Sequence, residues 1–263
     1  MPGNNPLVSV IIPVYNHERF VDEAIRSIIE QTYKNIELIV IDDGSTDSTW
    51  QKLQSQKAIC EQSLVRTIFI RQTHSGTCIT LNHLIEQSRG DYIYIIASDD
   101  KAHPQAIETL LSAIKQNQSV LAVGDNEIID DNGIRIGWDS KRNAQPLTES
   151  NYKTFGEFLH ITQHLSEFGT YQYLLKGNHI PNGYLILASA LRQIPKFTTQ
   201  APLEDYYMHL QLSKLGSYTY VNEILFSYRW HKNNAIKQTD KMRKISLMTL
   251  EYEKNLVEQK GYE

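Results

Sequence analysis

The fold of this protein is decided by residues 8–49, VSVIIPVYNHERFVDEAIRSIIEQTYKNIELIVIDDGSTDST. Two apolar runs in this region, 7–14 and 36–41, are short, nearly continuous and rich in β-branched residues. Such runs are typical of strands that are covered on both faces of a parallel sheet. Between them, apolar side chains at spacings of three and four form one helical stripe: Val21, Ala24, Ile25, Ile28 and Ile29. The stretch therefore predicts a strand–helix–strand unit.

The alternation of strand and helix continues as far as residue 97. Apolar runs at 67–70 and 92–97 predict two more strands, and helical patterns occupy 47–59 and 77–87. Repeated βαβ units with right-handed crossovers form a mostly parallel, Rossmann-like sheet flanked by helices. The sequence therefore predicts an α/β fold class.

The second half of the chain has a less regular pattern. The turn signal Asp130-Asp131-Asn132-Gly133 lies between two apolar stretches and predicts a hairpin. Between about 139 and 150 the sequence shows neither a strand nor a helix pattern, and we predict a mobile loop there. The other predicted elements are helices at 103–117, near 155–165, at 203–215 and at 240–258, and strands at 120–129, 134–138 and 183–188.

Composition and missing motifs exclude several classes of protein. The 263 residues include 26 Lys and Arg against 30 Asp and Glu, a net charge of −4, whereas nucleic-acid binders usually have a basic surplus. Two cysteines are too few for a disulfide-stapled secreted scaffold. The chain shows no secretory leader and no apolar run of about 18 residues, so we expect a cytoplasmic location. The GxxxxGK[ST], GxGxxG, GxSxG and HExxH motifs are absent, which disfavours Walker-type NTPases, dinucleotide dehydrogenases, common esterases and zincins.

Two acidic pairs directly follow predicted strands, at the sheet edge where parallel α/β sheets bind ligands. Asp42-Asp43 is followed by Gly-Ser-Thr, so turn and helix-cap chemistry explains this pair as well as a ligand-binding role does. Asp99-Asp100 follows an apolar run, where two adjacent carboxylates repel each other unless a cation is bound. Carboxylate oxygens suit Mg²⁺ or Mn²⁺, which take their remaining ligands from phosphates. The second pair therefore predicts a divalent metal and a phosphate-bearing substrate.

Three further features leave alternatives open. Glu204-Asp205 opens a predicted helix, and it is either favourable charge at a helix N-terminus or a general base at the rim of the site. Arg229 and His231 either grip a diphosphate or cap the end of a strand. The basic residues of the last helix are interpreted as a solvated flank, with a membrane-facing role as the alternative: Lys237, Lys241, Arg243 and Lys244.

Residues 8–49 closely resemble the opening of family 2 glycosyltransferases, which have the GT-A fold. The resemblance continues in order through His-Ser-Gly at 74–76, Leu-Asn at 81–82, Arg-Gly-Asp-Tyr at 89–92 and Ser-Asp-Asp at 98–100. It covers about residues 7–130, and beyond them only Glu204-Asp205 and, more faintly, residues 228–231 are similar. Because several motifs occur in the right order and spacing, the resemblance is specific.

The resemblance implies an inverting transfer of a sugar from a nucleotide diphosphate-sugar, most often a UDP-sugar, to an acceptor hydroxyl. It implies that Asp43 accepts a hydrogen bond from uracil, that Asp99 lies near the ribose and that Asp100 binds Mn²⁺ or Mg²⁺. Asp205 is the implied catalytic base, and His231 helps to hold the metal or the diphosphate. The other residues implied to contact the nucleotide-sugar are Pro13, Val14, Tyr15, Asn16, Glu18, Gly76 and Glu204.

The resemblance also sets expectations for the whole chain. We expect one GT-A domain over 1–238, with a nucleotide-sugar-binding half at 1–130 and an acceptor-binding half at 131–238, followed by a C-terminal helix at 239–263. The expected function is synthesis of a bacterial surface polysaccharide such as O-antigen, capsule or lipopolysaccharide. The acceptor is a glycan or a lipid-linked glycan, and the protein is cytoplasmic or peripheral on the inner face of the membrane. The loop at 139–150 is a hypothetical lid over the donor.

Two other functions remain open at this point. One is a catalytically silent module that binds a sugar nucleotide and regulates a partner. The other is a nucleotidyltransferase that makes the sugar nucleotide, although the Gly-rich, basic N-terminal loop usual in that class is missing. No nucleic-acid partner is expected.

Overall fold

The computed structural model of the protein describes residues 5–232, 234, 237 and 239–259. Its first half follows the predicted alternation, with the elements β1 (Val8–Val14), α1 (Val21–Ile29), β2 (Ile36–Asp42), α2 (Thr49–Ser63), β3 (Arg66–Arg71), α3 (Thr77–Gln87) and β4 (Tyr92–Ile95). The four strands are parallel and lie in the order β3-β2-β1-β4. The predicted α/β class and Rossmann-like half-sheet are therefore confirmed.

The second half extends the same sheet. Its elements are β5 (Lys101–Ala102), α4 (Ala106–Asn117), β6 (Leu121–Ile129), β7 (Arg135–Trp138), β8 (Ala144–Gln145), α5 (Phe155–Phe158), a 3₁₀ turn (Ile161–Gln163), α6 (Tyr171–Leu174), β9 (Tyr184–Leu187), α7 (Ala188–Leu191), α8 (Glu204–Leu212), β10 (Tyr218–Arg229) and α9 (Thr239–Gln259). The sheet continues from β4 as β9-β6-β10-β5, with β9 antiparallel to both of its neighbours and β6 parallel to β10. Strands from both halves of the chain thus share one sheet.

The core lies on both faces of this sheet because successive strand residues point to opposite sides. Val10 and Ile12 of β1 pack with α1, α2 and α4, whereas Ile11 packs on the other face with α3 and α8. All three side chains are fully buried. Burial on both sides explains why the strand sequences are continuous apolar runs rather than alternating ones.

The structure differs from the sequence-based elements in several places. The strand predicted at 92–97 ends at Ile95, and the helix predicted near 155–165 is two short pieces separated by His160, whose φ of 53° is left-handed. The segment at 139–150 contains β8, which pairs with β7, and the Arg142 guanidinium lies 4.5 Å from the Trp138 ring centroid. None of residues 139–150 lines the large cleft described below, so this packing gives the hypothetical lid no support.

The C-terminal helix α9 is fixed to the domain through a buried carboxylate. Glu253 is 1% exposed; its Oε1 accepts a hydrogen bond from Tyr171 Oη at 2.8 Å and lies 2.5 Å from Lys214 Nζ, while its Oε2 accepts from Gln211. Thr249 Oγ1 also accepts the backbone N–H of Leu203, just before α8. The helix therefore has a set position beside α8. The predicted helix at 239–263 agrees over 239–259, and its last four residues lie outside the described part of the chain.

Candidate active site

A cleft of about 880 Å³ lies at the carboxyl ends of β1, β2 and β4. Loops from parallel strands meet at this edge of an open α/β sheet, which makes it the usual ligand-binding edge. The predicted site residues that line the cleft are Pro13, Val14, Tyr15, Asp43, Gly76, Asp99, Asp100, Glu204, Asp205 and His231. The fold thus gathers side chains from both halves of the chain around one space.

Asp43 is held as a carboxylate by the loop after β3. Its Oδ1 accepts hydrogen bonds from Gln72 Nε2 at 2.7 Å and the Ser75 N–H at 2.9 Å, and its Oδ2 accepts the Gly76 N–H at 2.8 Å. His74 Nδ1 lies 2.9 Å from the same Oδ2. Burial alone would raise the pKa of Asp43, but these donors outweigh it and hold the pKa below its ordinary value. The side chain is therefore an ionised, fixed acceptor.

Two rings form a platform beside this carboxylate. Tyr15 stacks on His74 with ring centroids 4.2 Å apart and an interplanar angle of 23°. Tyr15 is 41% exposed, and both rings line the cleft. An exposed aromatic face next to a fixed acceptor suits the flat, hydrogen-bonding base of a nucleotide.

Asn16 and Glu18 lie outside the lining of the cleft. Asn16 Oδ1 accepts the Thr46 N–H at 2.8 Å, and Glu18 Oε2 accepts the Ser48 N–H at 2.9 Å. These bonds join the loop after β1 to the loop after β2. The sequence places both residues against the nucleotide-sugar, whereas in the structure they shape the loops that carry Tyr15 and Asp43.

A possible metal site is formed by His17, Asp99 and His231. One ligand atom from each of these side chains lies within 4.8 Å of the other two. His231 Nε2 is 2.9 Å from Asp99 Oδ2, and His17 Nδ1 is 2.7 Å from Ser98 Oγ. Burial alone would raise the pKa of Asp99, but the bond to His231 and the charge of His17 hold it below its ordinary value. An ionised carboxylate with two imidazoles is a metal-ligating set.

Asp100 differs from the residue beside it. Its Oδ1 accepts the backbone N–H of Arg229 at 2.8 Å, and the side chain is 1% exposed. Burial and then the neighbouring Asp99 charge raise the pKa of Asp100 well above its ordinary value. The resemblance implies that Asp100 binds the metal and that Asp99 lies near the ribose, whereas in the structure it is Asp99 that belongs to the possible metal site.

Arg229 supports the acidic loop from behind. The side chain is fully buried, and its Nε donates to the Asp99 carbonyl at 2.7 Å while Nη2 donates to Glu23 Oε2 at 2.9 Å. Nη1 donates to the Asp130 carbonyl at 3.1 Å. Because its donors are used within the protein, Arg229 is a structural cation here. Of the two roles left open for this segment, the grip on a diphosphate does not fit Arg229.

Glu204 and Asp205 begin α8 and lie on the cleft wall. Asp205 Oδ2 accepts Asn178 Nδ2 at 2.9 Å, and Oδ1 accepts the Tyr206 N–H at 2.6 Å. Burial raises the pKa of Asp205, and burial together with the Asp205 charge raises the pKa of Glu204 to about 7. Raised carboxylate pKa values in a cleft are typical of acid–base groups.

The cleft also contains residues that are not among the predicted site residues. His17 follows β1 and lies within the stretch that resembles the family. Because histidine is a metal-ligating residue type, the sequence alone could have identified His17 as a candidate ligand. Asn178 is in an irregular segment, and only the fold brings it to Asp205. Lys241 and Arg243 of α9 are exposed, as the interpretation as a solvated flank expects, and they also line the cleft.

Solved structures with the same architecture are glycosyltransferases. S. aureus TarS in complex with UDP-GlcNAc superposes with a TM-score of 0.62 at 17% identity, over 92% of this chain and 66% of that one. The mannosyltransferase PcManGT from Pyrobaculum calidifontis, in complex with GDP-Man and Mn²⁺, gives 0.65 at 15% identity, over 89% and 59%. At these identities the likeness establishes the fold. The fold class is therefore that of GT-A glycosyltransferases.

The sequence comparisons place the chain within that class. Residues 9–174 match glycosyl transferase family 2. An uncharacterised glycosyltransferase of Haemophilus influenzae is 30% identical over 97% of this chain and 76% of its own length. The chondroitin synthase of Escherichia coli is 29% identical over 89% of this chain, which spans 31% of that longer protein. The chain therefore belongs to glycosyl transferase family 2, and the predicted resemblance is confirmed.

No helix in the described part of the chain is both long enough and apolar enough to cross a bilayer.

Proposed function

We propose that the protein is an inverting, metal-dependent glycosyltransferase that moves a sugar from a UDP-sugar to an acceptor hydroxyl. One observation carries this proposal: a single cleft is lined by a fixed hydrogen-bond acceptor for a nucleotide base, by a candidate metal site and by a carboxylate pair of raised pKa. A nucleotide-sugar needs these three features in one space, because its base, diphosphate and sugar are joined end to end.

The donor's base fits the platform made by Tyr15 and Asp43. The ionised Asp43 accepts an N–H of uracil, and the exposed ring of Tyr15 offers a stacking face. Nucleotide-sugar complexes of the two structural neighbours, with UDP-GlcNAc and GDP-Man, support a donor of this class. Asn16 and Glu18 contribute by fixing the two loops.

His17, Asp99 and His231 fit a divalent metal. Their donor set of one carboxylate and two imidazoles favours Mn²⁺ over Mg²⁺, because Mg²⁺ prefers oxygen ligands. The Mn²⁺ in the mannosyltransferase neighbour supports the same choice. A bound cation stabilises negative charge on the diphosphate as a Lewis acid. The chain itself orients His17 through Ser98 and holds Asp99 ionised.

Asp205 is the proposed general base. It takes the proton of the acceptor hydroxyl as that oxygen forms a bond to C1 of the sugar. The bond from C1 to the diphosphate oxygen breaks on the opposite face, and its electron pair leaves with the nucleoside diphosphate, so the anomeric centre is inverted. The amide of Asn178 orients the carboxylate, and the raised pKa of Asp205 increases its basicity.

The acceptor proposed is a glycan or a lipid-linked glycan of a bacterial surface polysaccharide. Similarity to a chondroitin synthase, whose name denotes a polysaccharide product, supports a glycan acceptor. A peripheral position at the membrane accompanies a lipid-linked acceptor. A catalytically silent sugar-nucleotide-binding module is the alternative, and the intact carboxylate and metal-ligating sets argue against it.

The test is release of nucleoside diphosphate from a panel of UDP- and GDP-sugars in the presence of Mn²⁺. We expect one donor to be turned over, with Mn²⁺ required, and NMR of the glycosylated product to show an inverted anomeric centre. Tight UDP binding without turnover against a pool of acceptors would establish the silent module instead. A product with the donor's own anomeric configuration would refute the inverting mechanism.

A further inference from the structure

The first turns of α9 form part of the cleft wall. Lys241, Met242, Arg243 and Ser246 line the same space as Asp99 and Asp205. This part of the helix therefore faces the site where the donor is proposed to bind, whereas its sequence pattern indicates packing and a solvated or membrane-facing flank.

The position of these residues is set by the other end of the helix. Glu253 anchors the helix through hydrogen bonds from Tyr171 and Gln211 and an ion pair with Lys214. It lies about three turns after Lys241, about 18 Å further along the helix axis. Thr249 adds a second contact, to the chain just before α8. Lys241 and Arg243 are thus carried by a helix with a fixed attachment rather than by a free tail.

The cleft is lined by more acidic than basic residues, and two of its carboxylates, Asp43 and Asp99, are held ionised. Its acidic lining consists of Asp43, Asp99, Asp100, Glu204 and Asp205. Among the described residues that line the cleft, the lysine is Lys241 and the arginine is Arg243. Both side chains are exposed, and neither forms an ion pair with a carboxylate in the described ranges. Two unpaired cations therefore face a cleft that is proposed to take a diphosphate.

We propose that Lys241 and Arg243 bind the diphosphate of the sugar-nucleotide donor. This inference rests on the proposed function and adds a binding element from outside the parallel half-sheet. A guanidinium binds phosphate oxygens in a bidentate way, and an ammonium acts as a compact point charge. The two cations reduce the repulsion between the diphosphate and the surrounding carboxylates, and this contribution is largest when no metal is bound.

Lys244 provides a matched control on the same helix. It is exposed like Lys241 and Arg243 and lies one residue beyond Arg243, but it does not line the cleft. Lys244→Ala removes the same charge from the protein without removing a cation from the cleft wall. It therefore separates a specific contact from the general effect of net charge.

The experiment is calorimetric titration of the full chain with UDP, UMP and uridine, in Mn²⁺ and in EDTA. We expect Lys241→Ala and Arg243→Ala each to weaken UDP binding about tenfold in EDTA, and less in Mn²⁺. UMP binding should weaken less, and uridine binding should not change. Arg243→Lys should recover part of the lost affinity, and Lys244→Ala should bind UDP as the wild type does.

The outcomes separate this inference from the proposed function. If the wild type binds UDP and the double variant Lys241→Ala/Arg243→Ala binds it equally well, the inference is wrong and the glycosyltransferase proposal stands. An equal loss for uridine and UDP would also overturn it, because the diphosphate would not be the group recognised. If the wild type does not bind UDP in Mn²⁺, both proposals are wrong.

Discussion

His231 Nε2 lies 2.9 Å from Asp99 Oδ2, although the two residues are 132 positions apart in the chain. The contact joins the end of the parallel half-sheet to the segment that follows β10. It exists because β10 pairs with β6 in the shared sheet and Arg229 ties its end to the Asp99 loop. With His17, this pair makes the candidate metal site.

Asp99→Asn should reduce Mn²⁺ affinity much more than Asp100→Asn does. Asp99 is an ionised member of the candidate metal site, whereas Asp100 accepts a backbone N–H and its pKa is raised well above the ordinary value. We expect a loss of at least about tenfold for Asp99→Asn and for His17→Ala, measured by electron paramagnetic resonance of free Mn²⁺. An equal or larger loss for Asp100→Asn would restore the sequence-based assignment.

Asp205→Asn should strongly reduce transfer while donor binding persists. The amide keeps the size of the side chain but cannot take a proton, so we expect turnover to fall by about 10² to 10⁴. The UDP dissociation constant from calorimetry should stay close to that of the wild type. In the wild type, burial raises the pKa of Asp205, so turnover should decline with acidification at a pH above the ordinary Asp range. Turnover at the wild-type rate in Asp205→Asn would remove it as the base.

Glu204→Gln should stabilise the protein at high pH and not at low pH. Burial and the Asp205 charge raise the pKa of Glu204 to about 7, so between its ordinary pKa and 7 the folded state binds more protons than the unfolded state. Wild-type stability therefore falls as pH rises through this window. At pH 8 the variant should gain up to about 3 kcal/mol in the free energy of unfolding, and at pH 4 nothing. Urea unfolding at both pH values tests this, and an equal gain at pH 4 would contradict the ionisation argument.

Arg229→Ala should destabilise the protein by about 2 to 4 kcal/mol, because it removes a buried cation and leaves the Asp99 and Asp130 carbonyls without their donor. Arg19→Ala is the control, since Arg19 pairs with Asp131 at the surface and should change stability by less than about 1 kcal/mol. Urea unfolding measures both. Similar losses for the two variants would refute the structural role of Arg229.

Gly44→Ala should be more costly than Gly133→Ala. Both glycines have a left-handed φ, 75° and 78°, so a side chain strains the backbone at either position. At Gly44 the added Cβ would also lie 2.7 Å from the backbone nitrogen of His74, whereas at Gly133 its nearest neighbour is Lys101 Nζ at 3.5 Å. We expect a loss of stability larger by about 1 kcal/mol or more at position 44, together with weaker UDP binding. Equal losses of stability for the two variants would show that the loop after β3 moves to accommodate the added Cβ.

Much of the first half of the fold could be predicted because its signals are local. The helix at 77–87 was predicted to the residue, since its apolar spacing and the flanking Gly76 are both in the sequence. β10 was missed because its twelve residues, YTYVNEILFSYR, mix polar with apolar side chains, and its pairing with β6 carries two register irregularities. The prediction of one helix near 155–165 is wrong because His160 has a left-handed φ, which interrupts the helical backbone.

The α/β class, the family and the acidic pairs at the strand ends can all be predicted from the amino-acid sequence, because strand runs, helical stripes and motifs are properties of neighbouring residues. The tertiary structure alone shows where the two carboxylates of the second pair lie: Asp99 meets two histidines, and Asp100 is buried and accepts the backbone N–H of Arg229. It also decided that Lys241 and Arg243 face the cleft. These relationships depend on long-range packing of β10 and α9, which no local pattern encodes, since a charged helix face looks the same whether it meets water or a ligand.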